Sequence, residues 1–144
     1  MKISLVLDAS AVAKWFVEED ESEEMRRIRD LHINGMVIIY IPSLLFVELS
    51  NALRYIGGLT PTDVINAIEA LKILHLKVVS DLEVLDRAIE IAFNHSITVY
   101  DAVYVALART TGSKLITYDK ELLSKFSNIA GKASQIIKEL SYTL

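Results

Sequence analysis

Four short, mostly apolar runs, Ile3–Leu7, Val37–Ile41, Leu76–Val79 and Lys114–Thr117, recur along the chain with longer helical patterns between them. None alternates cleanly between apolar and polar positions. A strand with one wet face would alternate, so these runs read as strands covered on both faces, which is the environment of a parallel sheet. Parallel neighbours need crossover connections, and the intervening helices supply them. Right-handed crossovers then place helices on both sides of the sheet. The expected fold is α/β: a three-layer α/β/α sandwich with a parallel sheet of four to five strands, the fifth a weak edge strand at Ile129-Ala130.

The helical segments carry their own punctuation. Ala9–Phe16 reads as one short helix. Asp20 and Glu23 have the spacing of a capping pair for a helix running to about Ile33. Pro42-Ser43 opens a helix through Tyr55 that Gly57-Gly58 stops. Thr60 caps the next, with Pro61 at its first position, where a missing N–H costs nothing. Ser80 with Glu83 reads as a capping box for a helix to about Phe93. An apolar helix follows Val99-Tyr100 and ends at Gly112. Shorter helices are expected around Lys120–Phe126 and Ser134–Leu140.

The 144 residues fit one domain spanning 1–144. With 52% hydrophobic residues and a mean hydropathy of +0.36 there is ample material for a core. There is no cysteine, which excludes disulfides, thiolate zinc sites and cysteine nucleophiles and fits a reducing compartment, so a cytoplasmic location is expected. The most apolar stretch, Met36–Val47, contains Pro42 and falls short of the ~20 residues a spanning helix needs, so it reads as core and not membrane. The net charge of −4 argues against a duplex-coating nucleic-acid binder, which would carry a strong positive field. It does not argue against a nuclease whose acidic site holds cations. The acidic run from Glu18 to Glu24 reads as a solvated loop and helix start.

Carboxylates stand at equivalent places in this layout. Asp8 follows the first strand and Asp119 follows the strand Lys114–Thr117. In open α/β sheets the carboxyl ends of the strands border the ligand crevice, so both acids face one site if their strands are neighbours. Asp101 leads a helix that is apolar all round and therefore buried. It is either a cap, or a functional acid with Thr98 as the cap and Asp101 at the third helical position. Glu48 shares a helix face with Leu44, Leu45 and Ala52, where a glutamate needs a partner. That partner is a base such as Arg54 or Lys14, or a bound cation. Converging carboxylates repel and raise one another's pKa, and Mg²⁺ or Mn²⁺ removes the conflict. Ser10 and Thr117 either support the neighbouring acids or cap local turns. Lys14, Trp15 and Phe16 are within reach of a substrate, the two aromatics reading mainly as packing. His32, His75 and His95 lack metal-ligand spacing.

At four places the chain resembles the PIN-domain family, most closely its VapC-type toxins. The stretches are Val6–Phe16, Pro42–Leu53, Thr98–Ala108 and Leu115–Leu122, each weak alone and fairly specific in this order and spacing. The resemblance implies acids gathered at the carboxyl edge of a parallel sheet and a Mg²⁺- or Mn²⁺-dependent endoribonuclease. It implies Asp8 and Asp101 as direct or water-mediated metal ligands, Glu48 and Asp119 completing the cluster, and Ser10 and Thr117 in supporting positions. It also implies a homodimer and a small VapB-type antitoxin as partners. The rivals are a solitary RNA-processing PIN nuclease, an aspartyl-phosphate enzyme and a non-catalytic binding module.

Overall fold

The computed structural model describes residues 2–143. Five strands, β1 (Ile3–Leu7), β2 (Val37–Pro42), β3 (Lys77–Val79), β4 (Lys114–Ile116) and β5 (Ala130–Gly131), form one sheet in the order β3-β2-β1-β4-β5. Every pairing is parallel. The α/β sandwich expected from the apolar runs is what forms, with the weak fifth strand shifted by one residue.

Successive side chains of a strand point to opposite faces. Leu5, Val6 and Leu7 are nonetheless all fully buried, so both faces of β1 are covered. The helices are α1 (Ala9–Val12), α2 (Ser22–Ile33), α3 (Leu44–Arg54), α4 (Pro61–Ile73), α5 (Asp81–His95), α6 (Val99–Thr111), α7 (Lys120–Lys125) and α8 (Ala133–Leu140). Helix α6 lies against β1, β2 and β4 with α5 behind it, while α2 and α8 pack on each other and on β2 and β4. Helix α6 is buried from Ala102 through Ala108, as its apolar circumference requires.

Several helix starts differ from expectation. Ala9–Phe16 is not one helix: α1 gives way to a 3-10 turn at Ala13–Trp15, and the Trp15 indole N–H donates to the Met25 carbonyl at 2.7 Å. Asp20 and Glu23 do not cap α2. The residue before α2 is Glu21, in the left-handed region at φ 67°, and it makes no side-chain cap. The turn is closed by Ser22, whose Oγ accepts from the Glu19 N–H and donates to the Val17 carbonyl.

Ser80 and Glu83 do not form a reciprocal box either. Ser80 Oγ accepts from the Leu82 N–H. Because β2 and β3 are neighbours, α3 and α5 begin side by side, and their ends satisfy each other. Asp81 Oδ1 accepts from the Leu44 N–H at 2.9 Å, and Ser43 Oγ accepts from the Asp81 N–H at 3.2 Å. Thr60 does cap α4, and Asp63 completes a box there. Pro42 belongs to the last position of β2, opposite Val79, and the helix starts after Ser43.

Candidate active site

The switch point of this sheet lies between β1 and β4, where the chain turns from building one side to building the other. The register pairs Leu7 with Ile116, so the residues that follow, Asp8 and Thr117, emerge side by side. Crevices at such points are where open α/β sheets bind ligands.

Asp8 is buried, at 6% exposure, and held from three directions. Oδ1 accepts from Ser10 Oγ at 2.6 Å and from the Ala11 N–H at 3.1 Å, which makes Asp8 the cap of α1. Oδ2 accepts from Thr117 Oγ1 at 2.5 Å. A carboxylate offers about four lone-pair directions, so Oδ2 keeps one unused. Burial pushes the Asp8 carboxyl up to about 6, against the lowering effect of Ser10, Thr117 and Ala11, with a further rise from the charge of Asp101.

Ser10 and Thr117 each do a second job. Ser10 Oγ accepts from the Tyr118 N–H at 2.9 Å, and Thr117 Oγ1 accepts from the Asp119 N–H at 3.1 Å. The two hydroxyls therefore tie Asp8 to the loop after β4. Asp119 caps α7, its Oδ1 accepting from the Leu122 N–H at 2.9 Å.

Asp101 lies in the first turn of α6, half-buried, and Thr98 is the cap: its Oγ1 accepts from the Asp101 N–H at 3.1 Å. Burial raises the Asp101 carboxyl above the ordinary range, followed by the charges of Asp119 and Glu48. Glu48, on α3, has neither Arg54 nor Lys14 as its partner. No ion pair within 4 Å involves it among the described residues. Instead Glu48 Oε1 accepts from the Tyr104 hydroxyl at 2.5 Å. Burial drives the Tyr104 phenol well above its normal pKa, and the Glu48 carboxylate adds to the rise.

The structure thus puts Asp8, Glu48, Asp101 and Asp119 in one electrostatic neighbourhood: Asp119 and Glu48 act on Asp101, and Asp101 acts on Asp8. It does not close them into a cage: among the described residues no three acidic or histidine side chains stand close enough to hold a metal ion as they are. Mg²⁺ asks for less. It is usually held by one or two carboxylates and keeps several waters. The all-oxygen donor set, the free lone pair on Asp8 and the surplus of negative charge fit a hard divalent cation.

Sequence reasoning missed three participants. Tyr104 was legible in principle, since a tyrosine inside a buried helix needs a hydroxyl partner. Glu121, exposed on α7 and paired with Lys125, adds its charge to the field on Asp101, and nothing in the sequence singled it out. The third is Glu21, a member of the acidic run expected to be solvated. Its Oε1 accepts from the Tyr118 hydroxyl at 2.7 Å and from the Ser134 N–H at 3.0 Å, and its Oε2 from Ser134 Oγ at 2.7 Å. The histidines take no part; His32 Nε2 sits 2.7 Å from the Leu74 carbonyl.

Comparison with known proteins agrees with this layout. The family model described as "PIN domain" matches residues 5–132. Ribonuclease VapC3 of Pyrobaculum aerophilum is 38% identical over 130 residues, covering 86% of this chain and 95% of that protein. Among solved structures, PAE2754 of Pyrobaculum aerophilum superposes with a TM-score of 0.72 at 22% identity, covering 97% of this chain and 90% of that one. The sarcin-ricin-loop-cleaving toxin VapC20 of Mycobacterium tuberculosis gives 0.66 at 16% identity, covering 83% and 93%. VapBC2 of Rickettsia felis, bound to a DNA fragment from its promoter, gives 0.62 at 11% identity, covering 90% and 98%. At those identities the structures speak for the fold, and the family follows from the sequence matches: this chain belongs to the PIN-domain family.

Proposed function

We propose that this protein is an endoribonuclease that hydrolyses RNA phosphodiester bonds with the help of Mg²⁺ or Mn²⁺, and that it is the toxin of a type II toxin–antitoxin pair. The observation that carries the reading is Asp8. It is a buried carboxylate at the sheet's switch point, held by Ser10, Ala11 and Thr117, with one lone pair to spare and Asp101 in its field. The 38% identity to a ribonuclease over most of the chain supports it.

In this reading Asp8 and Asp101 hold the cation, and Glu48 and Asp119 complete the cluster directly or through water. The cation, when bound, offsets the carboxylates, activates water and stabilises charge developing on the phosphate. The chain's own residues do the positioning. Thr117 and Ser10 fix the Asp8 carboxylate and brace the loop that carries Asp119. Tyr104 pins one oxygen of Glu48 and leaves the other without a hydrogen-bond partner among the described residues. No histidine is required.

The proposal extends to a homodimer acting in the cytoplasm and to a small VapB-type antitoxin that blocks the site. Among the described residues no helix is long and apolar enough to cross a membrane.

The test is cleavage of a mixed pool of structured RNAs by wild type, Asp8→Asn and Asp101→Asn, with Mg²⁺, with Mn²⁺ and with EDTA. Metal-dependent cuts that both variants abolish are expected. Cutting that survives in both variants, or in EDTA, overturns the site, and a folded wild type that leaves every RNA intact overturns the activity.

A further inference from the structure

Lys14 is the only buried lysine or arginine among the described residues, at 8% exposure. It belongs to the 3-10 turn that continues α1, four residues beyond Ser10 and so on the same side of the helical turn. Ser10 and Lys14 meet the same residue. Ser10 Oγ accepts from the Tyr118 N–H, and the Lys14 ammonium lies 4.3 Å from the centre of the Tyr118 ring. The loop after β4 therefore sends three consecutive residues to three tasks: Thr117 to Asp8, Tyr118 beneath Lys14, and Asp119 toward the acid cluster.

What Lys14 lacks is a counter-charge. No carboxylate lies within 4 Å of its ammonium, and no hydrogen bond reaches it from any described residue. A cation–π contact offsets only a small part of what fully desolvating a charge costs. The ammonium therefore keeps its tip in solvent. That agrees with the absence, among the described residues, of any fully buried side-chain nitrogen or oxygen without a partner. The stem is packed, so the rotamer is set in advance, and the charge is left unpaired over Tyr118, the residue between Thr117 and Asp119.

A polyanionic strand approaching several carboxylates needs positive charge at fixed places. Preorganised charge is cheaper to use than a mobile surface lysine. We propose that Lys14 is a substrate-binding residue whose ammonium contacts a backbone phosphate of the RNA strand next to the bond being cut. The inference rests on the ribonuclease reading above and adds to it a specific contact to the substrate.

The test uses an RNA that wild type cuts, with Lys14→Met, which keeps the packed stem, and Lys14→Arg, which keeps the charge. Thermal melting checks that each is folded. Lys14→Met is expected to raise KM by about tenfold with a much smaller change in kcat. It should also lower the slope of log(1/KM) against log salt by about 0.7, the contribution of one phosphate contact on a single strand. Lys14→Arg should keep the wild-type slope. Should Lys14→Met fail to fold, Lys14→Gln is read in the same way. A folded charge-free variant with the wild-type KM and salt slope overturns the proposal and leaves the ribonuclease reading intact. A wild type that cuts no RNA removes the underlying reading before any Lys14 variant is compared.

Discussion

The Tyr104 hydroxyl donates to Glu48 Oε1 at 2.5 Å and joins α6 to α3 across the acidic edge of the sheet. A buried phenol has found a carboxylate, and a glutamate on an otherwise apolar helix face has found a donor. A hydrogen bond to a charged group contributes about 1.5–3 kcal/mol. Tyr104→Phe is therefore expected to lower unfolding stability by about that amount in urea denaturation. Glu48→Gln, which keeps an acceptor for the hydroxyl, should cost less.

The raised pKa of Asp8 implies that its ionised form works against the fold at neutral pH. Its folded pKa of about 6 lies above the ordinary 3.8, so the folded state holds the proton more tightly than the unfolded chain does. The ionised carboxylate therefore costs stability above pH 6. The cost shrinks as pH falls from 6 toward 4 and is gone below that. A rise from 3.8 to about 6 corresponds to a penalty on the order of 3 kcal/mol at most. In EDTA at pH 8, Asp8→Asn is expected to melt several degrees above wild type (~2–4 °C per kcal/mol), and the gap should close near pH 4. A variant that melts lower at pH 8 would contradict the burial argument. Adding Mn²⁺ should raise the wild-type melting temperature and leave that of Asp8→Asn unmoved.

Thr117 holds Asp8 with its proton and Asp119 with its lone pair. Thr117→Val keeps the shape and removes both bonds. Loss of such a supporting partner typically costs about 10–100-fold in metal affinity or activity. The expected loss should appear in a direct Mn²⁺ binding titration as well as in RNA cleavage, and Thr117→Ser should restore both.

Asp101 and Glu121 give opposite expectations although both contribute to the same field. Asp101 is half-buried among acids, and Asp101→Asn is expected to reduce cleavage by more than about a hundredfold, beyond what removal of an outer partner does. Glu121 is exposed and paired with Lys125, where screening leaves little effect. Glu121→Gln should stay within about twofold of wild type in the same assay.

Glu21 fastens the start of α8 to the start of α2 and to Tyr118. Burial works to raise its pKa, but the hydrogen bonds from Tyr118 and Ser134 and the charge of Lys132 outweigh it, and the net shift is downward. Its contribution is therefore complete above the ordinary carboxyl range and is lost as pH falls through the lowered value. Glu21→Ala is expected to speed amide hydrogen exchange across α8 at pH 7 while leaving the β1 amides protected.

The sequence by itself determined the layering and the positions of the acids. The apolar run of β1 is covered on both faces as its pattern requires, whereas the edge strand β3 leaves Lys77 and Val78 exposed. An aspartate that ends a strand such as β1 lies at the sheet's carboxyl edge. Thr60 and Pro61 were readable because that helix start is closed by residues within four positions of each other. The sequence left Asp101 and Thr98 as alternative caps of α6, and the pairs expected to cap α2 and α5 did not form. Partners distant in sequence were not readable. Glu48 found Tyr104, 56 residues away, where the sequence offered Arg54 or Lys14. Asp81 and Ser43 exchanged caps across 38 residues because β2 and β3 became neighbours. Glu21 left its acidic run to bind residues more than 90 positions on. Which donor satisfies a carboxylate depends on which strands lie side by side, and that choice is made by packing the whole core, not by any local pattern.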